Sequence, residues 1–137
     1  MSSKIESSVR QIPYPQQSVY DMLSDLSNIE KIRDRIPEEK VKDLTFDHDS
    51  VSVSVDMVGS VTLQIIEREE PKCIKFETTN SPVPLNLWIQ ILPVTEESSK
   101  MKLTVKVDTN PFVAKMLEKP LREGIEKVAE GISLIKY

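Results

Sequence analysis

Asn110 to Ile135, NPFVAKMLEKPLREGIEKVAEGISLI, carries the one helical periodicity in the chain long enough to cover a sheet, and it decides the fold. Asn110 reads as an N-cap, with Pro111 in the first helical position where a missing N–H costs nothing. Apolar residues then recur at Val113, Met116, Leu117, Leu121, Ile125, Val128, Ile132 and Ile135. Lys115, Glu118, Arg122, Glu126 and Ser133 fall on the opposite side. At about 100° per residue the middle of the apolar arc is expected near Leu117, Val128 and Ile135.

Pro120, Gly124 and Gly131 project into the same arc, so the stripe is short of side chain near its centre. A glycine inside a helix costs about 1 kcal/mol relative to alanine, and an interior proline roughly 3. The three together forfeit about 5 kcal/mol, comparable with the low end of a domain's net stability. Two explanations stand side by side. The glycines are spacers that let the helix backbone approach a sheet, or their missing side chains leave a hollow beneath the helix.

Working outward, the middle of the chain is strand. Val51, Val53, Val55 and Met57 alternate with Ser52, Ser54 and Asp56, and Val61, Leu63 and Ile65 repeat the pattern after Gly59-Ser60. Ile74, Phe76 and Thr78 share one phase, with Cys73, Lys75 and Glu77 on the other. Leu85, Leu87, Ile89 and Ile91 oppose Asn86, Trp88, Gln90 and Leu92. Met101, Leu103, Val105 and Val107 alternate with lysines and threonine. Short polar turns join these runs, and Val41 to Phe46 precedes them, so six strands form an antiparallel meander.

The N-terminal part opens with Ile5 to Ile12, a first strand whose Ile5/Val9 and Ile12 sit on opposite phases and leave its inner face open. After Pro13-Tyr14-Pro15, Val19, Met22, Leu23 and Leu26 form a short amphipathic helix. Ser27-Asn28-Ile29-Glu30 has capping-box form and starts a second, with Ile29, Ile32 and Ile36 apolar and Pro37 ending it. The order is strand, two short helices, six strands, long helix: an α+β fold with a seven-stranded curved antiparallel sheet.

Three passages give this chain a family resemblance. Ile5-Glu6-Ser7-Ser8-Val9 through Val19-Tyr20-Asp21-Met22-Leu23-Ser24-Asp25-Leu26-Ser27-Asn28 resembles the first strand and "V-x-x-L-x-D-x-x-N" helix of the START-like superfamily, which includes polyketide cyclase/dehydrase, lipid-transport and birch-pollen-allergen-like proteins. Ile89-Gln90-Ile91-Leu92-Pro93, a polar turn, and Met101-Lys102-Leu103-Thr104-Val105 are similar to its penultimate hairpin. The amphipathic C-terminal helix is the third. The resemblance spans residues 1–137 as one START-like domain and implies a helix-grip fold, a sheet wrapped on a long helix over a cavity. It departs at Ile29-Glu30-Lys31-Ile32, where many relatives carry a tryptophan, and in lacking a glycine-rich loop.

Composition bounds the function. Among 137 residues the formal net charge is −4, so no chain-wide basic footprint for nucleic acid exists. Lys100, Lys102 and Lys106 decorate the wet face of a strand. A single cysteine, Cys73, excludes an internal disulfide and a multi-cysteine metal site. No signal-type or membrane-spanning apolar run is present, so a cytoplasmic protein without integral membrane association is the expectation. His48, the sole histidine, sits in an Asp47/Asp49-flanked turn at a sheet rim. Three adjacent residues there cannot converge on one ion. Neither a metal, a cofactor nor a catalytic residue is expected.

Tyr14, Tyr20 and Gln90 are candidate hydrogen-bond donors to a cavity, and Lys127 a candidate partner for a ligand carboxylate at its mouth, or a snorkelling lysine. The expected activity is binding of a small hydrophobic or amphipathic molecule, as a ligand carrier or sensor, between the helix and the sheet. Its lining would be Val55, Met57, Leu63, Phe76, Ile89, Ile91, Leu103, Leu117, Gly124 and Val128. The alternatives are a cyclase- or dehydratase-type enzyme, which would need titratable groups pointing inward, and a cavity-poor interaction protein, with a homodimer through a sheet edge or Trp88 as one form.

Overall fold

The computed structural model describes residues 2–28, 30, 45–55, 59–80 and 84–135. In chain order they form β1 (Ser2–Glu6), β2 (Arg10–Ile12), α1 (Gln16–Leu23), a 3-10 turn (Leu26–Asn28), β3 (Thr45–Phe46), β4 (Ser50–Val55), β5 (Gly59–Glu69), β6 (Cys73–Asn80), β7 (Leu85–Thr95), β8 (Ser98–Asp108) and α2 (Pro111–Ser133). The strands make one antiparallel sheet in the order β1-β8-β7-β6-β5-β4-β3, with β2 also paired to β8. This is the α+β helix-grip arrangement expected from the sequence. The second short helix expected from Ser27, the strand residues before Thr45, and Met57 lie outside the described residues.

The sheet has eight strands rather than seven because the first one is broken. Glu6 faces Thr104 and Arg10 faces Met101, so four steps along one strand answer three along the other. One extra residue in a ladder inverts the side-chain phase beyond it. That is why Ile5 and Ile12, on opposite phases in the sequence, are both buried. Ser7 secures the irregularity: its N–H donates to the Leu103 carbonyl at 2.8 Å, and its Oγ accepts from the Leu103 N–H at 2.9 Å. Val9, inside the bulge, is left exposed.

The concave face is a grid of apolar side chains. Ile5, Val105, Leu87, Phe76 and Ile65 stand side by side across five strands. Ile91, Met101, Leu103, Ile74 and Val107 are almost entirely buried. Each such side chain contributes about 1.5–3 kcal/mol by leaving water. The strand carrying Trp88 is therefore phased with Leu85, Leu87, Ile89 and Ile91 inward, and Gln90 points away from the core.

Two helices cover part of this face. α1 packs on β7 and β8, where the Gln16 side-chain amide donates to the Ile91 carbonyl at 2.8 Å and the Ser99 hydroxyl to the Tyr14 carbonyl at 2.9 Å. α2 packs on β1, β2 and β8. Its start is as the sequence predicts, with the Asn110 side chain accepting from the Val113 N–H at 2.9 Å and Pro111 next. Among the described residues no helix is long and apolar enough to cross a membrane.

Candidate functional site

α2 presents its sheet-facing stripe through Ala114, Leu117, Leu121, Ile125, Ala129 and Ile132. That stripe is rotated by roughly 50° from the arc expected by weighing large apolar residues. The two alanines explain the difference. They carry little apolar area and so scarcely influence a sequence projection, yet both are buried, Ala129 fully. Val128, expected at the centre of the arc, is 52% exposed, a correction that follows from this rotation.

The two flanks of the stripe are unlike. On one, Glu126 is held at the β1–β2 bulge. Its carboxylate accepts from the Ser8 backbone N–H, from the Ser8 hydroxyl at 2.9 Å and from Arg10 at 3.3 Å. These contacts, the Ser8 hydrogen bonds foremost, hold the Glu126 carboxyl below its ordinary value of 4.5. The Arg10 Nε is buried without a partner.

Gly124 and Gly131 lie about 160° and 140° around the helix from Glu126, on the other flank with Val113, Pro120 and Val128. None of the five is charged. Glu126 marks the sheet's β1–β2 edge, and this flank is the one turned away from that edge. A Cβ built on Gly124 or Gly131 would meet nothing within 4 Å, and both residues are exposed. This speaks against the spacer explanation, since among the described residues no backbone lies against either glycine. The gaps open sideways along the helix rather than beneath its midline.

Beyond the strands on which α2 packs, the covering of the concave face is incomplete. Leu87 on β7, Leu63 on β5 and Val51 on β4 are only half-buried while packing against the core, as is Val113 on α2. The expected lining residues thus fall into two groups. Phe76, Ile89, Ile91, Leu103 and Leu117 are buried in the core, whereas Leu63 is half-buried and Gly124 and Val128 stand at the rim. Val55 pairs with Gly59 at the end of β4. Val51, Leu87 and Val113 belong beside the rim group. Their alternation or helical position signalled them, but sequence did not show which inward residues would stay uncovered.

Charged side chains reach the concave phase of the described strands at two places, and each clasps a helix or turn. Arg10 meets Glu126. Arg68, brought inward by the register shift between Ile65 and Glu67, donates to the Ser24 carbonyl at 3.0 Å and to Asp49 at 2.6 Å. His48 sits nearby in its turn, exposed, with Nδ1 2.8 Å from Asp25 and Nε2 3.7 Å from Asp49. Asp47 accepts from the Asp49 and Ser50 N–H groups, which depresses its pKa. The cluster closes the β3–β4 turn on the 3-10 turn, where Leu26 N–H donates to the His48 carbonyl. Tyr20 is buried, and desolvation raises its hydroxyl pKa. Burial, followed by Glu69 and Glu67, raises the Cys73 thiol. Among the described residues no group of three His, Cys, Asp or Glu could hold a metal ion.

No family model and no curated protein matches this sequence. Solved structures do. A truncated norcoclaurine synthase from Thalictrum flavum superposes with a TM-score of 0.75 at 13% identity, over 97% of this chain and 92% of that one. The same enzyme has been solved in complex with dopamine and hydroxybenzaldehyde. A START superfamily protein from Mycobacterium smegmatis matches at 0.57 with 10% identity, over 94% and 98% of the two chains. A protein from Thermus thermophilus matches at 0.63 with 17% identity, over 96% and 94%. At these identities the likeness is one of fold: the chain has the START-like helix-grip architecture, in which structures with bound small molecules are known.

Proposed function

We propose that this START-like chain binds a small apolar or amphipathic molecule in the groove between the glycine flank of α2 and the half-covered side of the concave sheet. Two observations support the reading: open space at the Cβ positions of two helix glycines on the flank opposite Glu126, and apolar side chains of β4, β5 and β7 that are only partly buried. Glycine inside a helix costs about 1 kcal/mol, and among the described residues no backbone contact requires it. Room for a ligand accounts for that cost. Leu63, Leu87, Val51 and Val113 would take up the ligand's apolar body by desolvation, with Gly124, Gly131 and Val128 forming the opposite wall.

Binding is favoured over a reaction because the concave phases of the described strands hold no Asp, Glu or His, and their two arginines are engaged with Glu126 and with Asp49 and Ser24. General acid–base chemistry needs such a group within hydrogen-bond reach of the substrate.

The test is fluorescence titration with 1-anilinonaphthalene-8-sulfonate as an amphipathic probe, together with native mass spectrometry of the freshly purified protein. Gly131→Leu or Gly124→Leu should weaken probe binding by about tenfold or more while thermal stability is kept or raised. Equal binding by the variants, or none by the wild type, overturns the proposal.

A further inference from the structure

The convex face of the sheet is divided by charge. On its β8–β1 side stand Lys102, Lys106 and Lys4, with Glu6 held between Lys102 at 2.8 Å and Lys4 at 3.4 Å. On its β5–β6 side stand Glu67, Glu69 and Glu77. Between them β7 contributes an uncharged row, Asn86, Trp88, Gln90 and Leu92. Trp88, the only tryptophan, is half-buried near the middle of this row, with the Lys75 ammonium 5.4 Å from its ring centroid. Leu92 is 49% exposed. Lys4 and Lys106 are direct cross-strand neighbours, a like-charge pairing that works against the sheet that contains it.

We propose that this face is the contact between two copies of the chain, related by a two-fold axis running along β7. Rotation about that axis keeps position along the strands and exchanges the two sides. Lys106, Asn86 and Glu77 share one cross-strand row, so Lys106 of each copy lands on Glu77 of the other. Lys4, one strand further out, lands over Gln64, which lines an open groove of about 430 Å³ with Asp47 and Asp49. Trp88 meets its own symmetry mate, the central position in which tryptophan is enriched at interfaces. A two-fold across the strands would instead stack lysine on lysine. A uniformly anionic partner such as nucleic acid would be repelled by Glu67, Glu69 and Glu77. In the Trp88 row the same rotation sets Glu6 over Glu67, a like-charge meeting offset by the Lys102 and Lys4 ammonium groups already bound to Glu6, so the two halves are complementary in net charge and an isologous contact uses both.

Five strands at about 4.8 Å spacing and six residues of strand length give roughly 20 Å by 20 Å per copy. That is the size of a weak, reversible contact, so partial association is expected only toward the upper end of a micromolar-to-millimolar range. The test is sedimentation equilibrium from about 5 μM to 1 mM on the full chain. Lys106→Glu places glutamate on glutamate and Glu77→Lys places lysine on lysine, so each alone should weaken dimerisation about tenfold or more. An equimolar mixture restores both pairs and should dimerise like the wild type. Both residues are exposed, and matching thermal melts establish that the variants fold. Trp88→Ser should weaken the dimer independently of salt, whereas the charge effects diminish at high ionic strength. A wild type monomeric at 1 mM, variants that dimerise unchanged, or a mixture that regains nothing each overturns the proposal.

Discussion

The two flanks of α2 share a backbone but differ in what holds them. The Glu126 flank is tied to the β1–β2 bulge by three hydrogen bonds, and the glycine flank touches nothing within 4 Å of either missing Cβ. Both border the same stripe of Ala114, Leu117, Leu121, Ile125, Ala129 and Ile132. A helix closing a sheet over a ligand needs this asymmetry. One side must fix the helix in register, and the other must leave a wall that a ligand can reach.

The stripe is what both flanks depend on, so the severest way to break the contrast is to cut it. Leu121→Ala removes a nearly buried side chain and should cost about 2–5 kcal/mol, read by chemical denaturation. The half-covered side should respond less. Leu63→Ala is expected to cost about 1 kcal/mol in the free protein, because part of that side chain is already wet, yet to weaken probe binding in the same titration as the glycine variants. A loss at Leu63 equal to that at Leu121 would mean that the groove side is as tightly filled as the core.

The glycine flank should respond in the opposite direction. Gly124→Ala with Gly131→Ala is expected to stabilise the protein by about 2 kcal/mol in total, since neither new methyl meets a neighbour. For a chain of this length that is a rise in Tm of roughly 5–10 °C. A fall in Tm would place something against those positions.

An effect as small as that at Leu63 is expected at Glu126, whose side chain is about one-third exposed. Glu126→Gln should cost about 1 kcal/mol near neutral pH after allowance for solvent. The carboxyl's folded pKa lies below its ordinary 4.5, so its stabilisation is complete above that value and is lost as pH falls through the depressed one. The wild type and the variant should therefore differ in stability above pH 4.5 and converge below it. Parallel curves across that window would remove the ion-pair account of this flank.

The sequence alone determined the run of strands leading into the long C-terminal helix, the inward phase of β5, β6 and β8, and the cap at Asn110, while the phase of the Trp88 strand waited for the structure. Each depends on local spacing, a period of two or of 3.6, or on a backbone N–H answered within three residues. It also singled out Gly124 and Gly131 as positions that stability by itself would not choose. Only the tertiary structure decided that Ile5 and Ile12 share a face, because the bulge at Ser7 depends on pairing with Leu103, 96 residues away. It alone set the rotation of α2, because the burial of Ala114 and Ala129 follows from packing against the sheet, not from how apolar they are. The same limit divided eight of the expected lining residues between core and rim: alternation states which way a side chain points, and only packing states what covers it.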